Sequence, residues 1–259
     1  MVGGNMKRED IKSDFTKNTK NHTMQVLHDE GVYRHLRFSN NGSMIYQFDL
    51  TTWPGYLCIS GDMGTYVFSR VHDMFDFFIM KDNDFNQKNI INPGYWGEKL
   101  QATDGCDGLS YKEFSKEKFD ASIKEEFEMF RDSYIGDDDE IPEAYAEDEQ
   151  TVAQAMDELW EALEDDVLSA DDNAVRCYDA ATDFKWKSDD GKLEFDMQDF
   201  WEYDHTEYTF HYIWILYAIV WGIGEYTKAN EKPVPPDTSI IAPEFDTTTE
   251  SFPPTEIKA

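Results

Sequence analysis

Short runs rich in β-branched and aromatic residues mark the early part of the chain: Thr23–His28, Val32–Phe38, Met44–Leu50, Tyr56–Ser60 and Thr65–Ser69. Turn residues separate them at Glu30-Gly31, Asn40-Asn41-Gly42, Pro54-Gly55, Gly61-Asp62 and Gly64. Runs of this length with such breaks predict an antiparallel meander. Tyr46, Phe48 and Leu50 alternate with Gln47 and Asp49, as in a strand with one wet face. The period then changes. Val71, Met74, Phe75 and Phe78 fall at i, i+3, i+4 and i+7, which predicts a helix over Val71–Met80 packed on the sheet. Ile90–Leu100 reads as a loop anchored by Tyr95 and Trp96.

From Ser110 the pattern is mostly helical. Phe119, Ile123, Phe127 and Phe130 share one face of a helix over Ser115–Tyr134. A second helix, Glu147–Leu168, carries the apolar stripe Val152, Met156, Leu159, Leu163 and Val167. Asp171–Trp186 predicts a third helix, Lys192–Phe195 a short extended piece, and Tyr208–Tyr226 an apolar terminal helix. Residues 1–20 are polar and expected to form a flexible lead-in, and 231–259 a Pro-rich tail. The fold class is therefore α+β. An N-terminal antiparallel β-meander with a packed helix (21–105) is followed by an acidic, mostly helical region packed with it (106–230).

Composition supports a folded chain: 40% of the 259 residues are hydrophobic and 15% aromatic, far from the make-up of a disordered acidic segment. The sparse, odd set Cys58, Cys106 and Cys177 contains no CxxC pair and suits a reducing compartment. Met1–Asp14 has no apolar signal core. The longest apolar run, Tyr212–Ile223, is shorter than the ~20 residues a spanning helix needs. The expectation is a cytoplasmic protein with no membrane contact.

Charge changes the picture most. The formal net charge is −31. Residues 1–100 hold 11 Lys and Arg against 12 Asp and Glu, whereas 101–259 hold 12 against 42. Such a chain repels phosphate backbones, so direct nucleic-acid binding is not expected. On the predicted helix Glu147–Leu168, Asp157, Glu158, Glu161, Glu164 and Asp165 fall opposite the apolar stripe. Helical neighbours of this kind lie about 5–6 Å apart. DNA presents one phosphate per ~3.4 Å on each strand. A carboxylate row on a rigid helix therefore imitates a phosphate row, coarsely. Asp137, Asp138, Asp139 and Glu140 add a charged break before it. The plain alternative is a solvated helix face.

Other candidates are weaker in pattern. Asp49 and Asp62, near strand ends, could serve a divalent metal, but without a spaced third ligand they read equally as a strand polar residue and a turn cap. Cys58 sits in an apolar strand with no His at a defined offset, the setting of an inert thiol. The aromatic cluster from Trp201 to Trp221 reads as core or as a docking element. No phosphate loop, G-x-S-x-G or HExxH occurs, and no cofactor is expected.

Val32–Phe78, centred on TWPGYLCISGDMGTYVFSR, resembles the N-terminal part of a family of uncharacterised phage and prophage accessory proteins. Asn92–Gln101 (NPGYWGEKLQ) and Tyr208–Tyr226, with its YAIVWGI block, are similar to later blocks of that family, in the same order. The resemblance assigns no catalytic residues. It implies an accessory protein of the host bacterial cytoplasm, directed against antiphage defence. The leading expectation is a non-enzymatic inhibitor of a CRISPR, restriction or Gabija-type complex, meeting its basic nucleic-acid channel through the acidic surface. A metal-dependent enzyme acting on a nucleotide or defence signal, and an adaptor for phage assembly or host takeover, are the alternatives. Self-association into a homo-oligomer is left open.

Overall fold

The computed structural model describes residues 8–79, 91–103, 111–135 and 149–231. Six antiparallel strands form one sheet in the order β1 to β6: Thr23–Glu30, Tyr33–Ser39, Phe48–Trp53, Tyr56–Gly61, Tyr66–Ser69 and Leu100–Thr103. The meander expected from the sequence is thus present, with β6 added at its edge. β3 begins at Phe48 rather than Met44. Asn41, Gly42 and Tyr46 take positive φ there, so the chain is still turning where alternation alone suggested a strand.

Leu36, Phe38, Phe48, Leu50, Leu57, Ile59 and Phe68 all face one side of the sheet and are buried. Covering them is the last helix, α7 (Phe210–Asn230), in which Tyr212 to Ile219 are all buried. An all-apolar helix has no wet face and must be enclosed. α7 therefore shares its core with the sheet rather than with the acidic helices. Gly222 permits the contact, because a Cβ there would lie 2.9 Å from Leu50 Cδ1 and 3.1 Å from Phe38 Cζ.

The expected lead-in contains a helix, α1 (Arg8–Thr19). Ile11 and Phe15, one turn apart, are buried, and Phe15 meets Trp214 edge-on at 5.1 Å. Two apolar residues suffice because the partner surface is aromatic; the polar composition around them hid the stripe. Two short helices close the sheet lobe. α2 (Met74–Phe78) is capped by the Asp73 carboxylate, and α3 (Pro93–Gly97) by Asn92. The segment read as a loop thus contains α3, which seats the fully buried Trp96 against Phe78 at 4.9 Å.

The second lobe consists of α4 (Lys116–Tyr134), α5 (Glu149–Leu163), α6 (Ala174–Asp183) and two small strand pairs. β8 (Lys185–Lys187) pairs with β9 (Glu194–Asp196), and β7 (Lys112–Phe114) with β10 (Thr206–Tyr208). The β7–β10 pair leads directly into α7. Tyr208 and Tyr111 stack beside Tyr212, whose hydroxyl donates to the Pro93 carbonyl at 2.9 Å. The Pro-rich tail expected over 231–259 lies, from residue 232 onward, outside the described residues.

Candidate functional site: an acidic helix face

α5 is built by its apolar stripe. Val152, Met156, Leu159 and Leu163 recur at the spacing of one helix face and are all buried. Val167 continues the row into a single π-type turn, Glu164–Leu168, closed by Ser169 N–H donating to the Glu164 carbonyl at 3.0 Å. The stripe packs on α4, with the Phe127 and Trp160 rings 4.9 Å apart, and on Cys177 and Ala181 of α6. This enclosure fixes the rotation of α5, and with it the direction of the opposite face.

That face carries the acids. Asp157, Glu161, Glu164 and Asp165 are exposed, while Glu158 is half-buried and accepts from Gln154 Nε2 at 2.8 Å. On an ideal helix the five span an arc of roughly 120°, centred opposite the stripe. Asp166 is exposed as well. Glu164, Asp165 and Asp166, consecutive in the π turn, are all exposed. Asp137, Asp138, Asp139 and Glu140 lie outside the described residues.

Neutralising partners are placed elsewhere. The ion pairs of this lobe include Lys116–Asp120, Lys124–Glu128, Arg176–Asp171, Lys187–Glu194, Lys192–Asp190 and Lys112–Asp204. None of them uses the α5 acids. The sequence explains this: between Asp132 and Val175 there are 17 Asp and Glu and no Lys or Arg. Residues 111–135 and 149–209 together hold 26 acids against 9 Lys and Arg, whereas 8–79, 91–103 and 210–231 hold 12 against 9. The field is thus a property of one lobe.

The acids also sit at an unfavourable end. Glu164, Asp165 and Asp166 occupy the last turn, beside the negative end of the helix dipole, at a cost of about 0.3–1 kcal/mol each where exposed. One cation offsets part of this from another helix: Lys116 Nζ donates to the Leu168 carbonyl at 3.0 Å. Acids are tolerated here at the expense of stability.

Asp49 and Asp62 are each engaged by protein partners of their own. Asp49 is buried on the sheet face away from α7, where Arg37 binds it twice at 2.9 Å and His35 Nε2 lies 2.7 Å from Oδ2. Burial pushes the Asp49 carboxyl up, but the Arg37 and His35 hydrogen bonds and charges outweigh that and hold it below the usual range. Asp62 accepts from the Tyr46 backbone N–H at 2.7 Å and so holds the turn before β3. Among the described residues no group of three His, Cys, Asp or Glu is arranged to hold a metal ion. Burial raises the Cys58 thiol, which keeps it protonated and inert. The aromatic helix considered as a docking element is enclosed as α7, and among the described residues no helix is long and apolar enough to cross a membrane. Compared with known proteins, the chain matches no family model, no curated protein and no solved structure.

Proposed function

We propose that the chain is a non-enzymatic binding protein that presents the acidic face of α5 to the cationic nucleic-acid channel of a partner. The setting is the one implied by the phage resemblance. The partner is a host antiphage defence complex of the CRISPR, restriction or Gabija type, and binding inhibits it. The observation that carries this reading is the arc Asp157, Glu158, Glu161, Glu164 and Asp165, held by a buried stripe and, among the described residues, with no ion pair to a Lys or Arg. A solvated face needs no such separation of signs; a surface mixing both would be as soluble and more stable. A surface that competes with DNA needs it, because Lys and Arg set to bind phosphate then meet carboxylates at comparable spacing.

The test is an inhibition assay. DNA cleavage by purified complexes of the three types is measured with the wild-type chain and with the quadruple variant Asp157→Lys, Glu161→Lys, Glu164→Lys and Asp165→Lys. All four positions are exposed, so the variant keeps the fold, checked by circular dichroism. Inhibition of at least one complex, lost in the variant, is expected. Equal inhibition by both proteins refutes the role of this face.

A further inference from the structure

Where the acidic lobe joins the sheet lobe, a histidine is enclosed in an unusual way. His205, in the residue pair preceding β10, is 1% exposed. Its ring stacks on Phe200 at 4.9 Å and on Tyr203 at 5.9 Å, and meets Phe119 edge-on at 5.4 Å. Nδ1 lies 2.9 Å from the Tyr178 hydroxyl of α6. Nε2 is buried and has no hydrogen-bond partner among the described residues. The backbone of the same residue is a tie-point, because its carbonyl accepts from Ser115 N–H, the N-cap of α4, at 2.8 Å. One residue thus joins α4, α6, the Phe200 turn and the strand pair that leads to α7.

We propose that His205 is a proton-operated latch: neutral, it holds the acidic lobe closed on this junction, and protonated, it releases it. The argument is one of hydrogen-bond capacity. A neutral imidazole has one N–H donor and one bare acceptor nitrogen; with Nδ1–H donating to the Tyr178 oxygen, only the uncharged Nε2 lone pair is left unmatched, the cheaper of the two groups to bury. An imidazolium carries two N–H donors and a charge. Nδ1–H could still be received by the Tyr178 oxygen, but Nε2–H faces a cage of rings without an acceptor. Attraction to the ring faces compensates only in part for the lost hydration.

The charged and titratable groups around the ring do not supply the missing acceptor. From β10 and its approach, Asp204 is engaged by the Thr206 hydroxyl and by Lys112 of β7, which hold it down at about 2. From α4, Lys118 opposes a positive ring, and Glu126 is taken by the Tyr203 hydroxyl, whose phenol it holds up at about 12. Glu113 of β7 and Glu207 of β10 face each other across the strand pair. From α6 the Tyr178 hydroxyl reaches Nδ1 and its ring lies 5.5 Å from the imidazole. Burial depresses the His205 pKa, Asp204 raises it to a lesser degree, and Lys118 lowers it further.

The sign follows. A group with a depressed folded pKa contributes stability that is present above the unfolded value of about 6.5 and lost as pH falls below it. If only the open form takes up the proton, the opening constant rises about tenfold between pH 7.5 and 5.5. The experiment is amide hydrogen exchange on the full chain at those two pH values, corrected for intrinsic exchange, on wild type and His205→Gln. Glutamine keeps one hydrogen bond to Tyr178 and cannot titrate. The expected result is a roughly tenfold rise in opening of α4–α6 peptides in wild type, little change in β2–β4, and none of the rise in H205Q. The same rise in H205Q, or no rise in wild type, overturns the latch. NMR titration of the His205 ring in wild type is the check that does not depend on the variant folding. A midpoint below that of a free imidazole, about 6.5, supports the latch, and one at or above it overturns the latch.

Discussion

At the scale of single residues, the sheet lobe depends on Arg34, near the start of β2, more than a polar strand residue suggests. Its guanidinium binds Asp73 at 2.7 and 3.0 Å and lies over the Phe75 and Tyr226 rings at 4.5 and 5.5 Å. Tyr226 in turn donates to Asp29 of β1. One side chain therefore links β2, α2, α7 and, through the tyrosine, β1. Arg34→Ala leaves Asp73 half-buried without its cation and removes the stacked plane; a loss of about 2–4 kcal/mol is expected in urea unfolding at pH 7. Burial pushes the Asp73 carboxyl up, while Arg34, the Phe75 N–H and nearby charge more than offset this and hold it below its usual range. The Arg34–Asp73 contribution is therefore present above about pH 4 and lost as pH falls further. The wild-type advantage over Arg34→Ala should shrink below pH 4. A second residue-scale prediction concerns the like-charged pair Glu113 and Glu207, directly opposed on β7 and β10. Burial and the Glu207 charge raise the Glu113 carboxyl, with His211 partly opposing them. Glu113→Gln should stabilise the chain by about 0.2–1 kcal/mol at neutral pH, read as a higher urea midpoint.

At the scale of elements, the two glycines of α7 separate packing from propensity. Gly222 faces Leu50 and Phe38 at distances a Cβ cannot share, whereas nothing lies within 4 Å of a Cβ at Gly224. Gly222→Val should cost about 1–3 kcal/mol through overpacking, and Gly224→Ala should gain about 0.5–1 kcal/mol through helix propensity. Thermal unfolding of the two variants checks both signs. How much of each element could be read in advance follows from the same physics. The stripe of α5 and the period-two runs of β2, β4 and β5 were legible because their partners lie on one face. α1 was not, since its two buried apolar residues are surrounded by polar ones and Phe15 acquires meaning only beside Trp214 and Trp221. β6, β7 and β10 were missed because three- and four-residue strands owe their state to neighbours brought in from far along the chain. The surface placement of the α5 acids followed from the apolar stripe opposite them, while Asp166, exposed in the π turn, was not part of that reading. His205 carried no sequence signal. Its isolation arises from aromatic residues spread between Phe119 and Tyr203.

At the scale of the whole molecule, the chain divides its labour by charge. A near-neutral sheet lobe is stabilised by an aromatic core, and the acidic lobe is attached through the β7–β10 pair and Tyr212. This arrangement confines self-repulsion to one body and leaves it free to project a field. Complementary charge acts chiefly on the association rate, so the proposed inhibition should set in more slowly as salt rises from about 50 to about 200 mM. The dissociation rate should change less. The most direct measurement of the central claim is displacement of a fluorescent DNA duplex from an inhibited defence complex by the wild-type chain and by the four-lysine variant of α5. Wild type is predicted to release the duplex, with a salt-dependent rate, and the variant to leave it bound. Release by both proteins alike, or tight wild-type binding to the complex with the duplex still in place, would contradict the account.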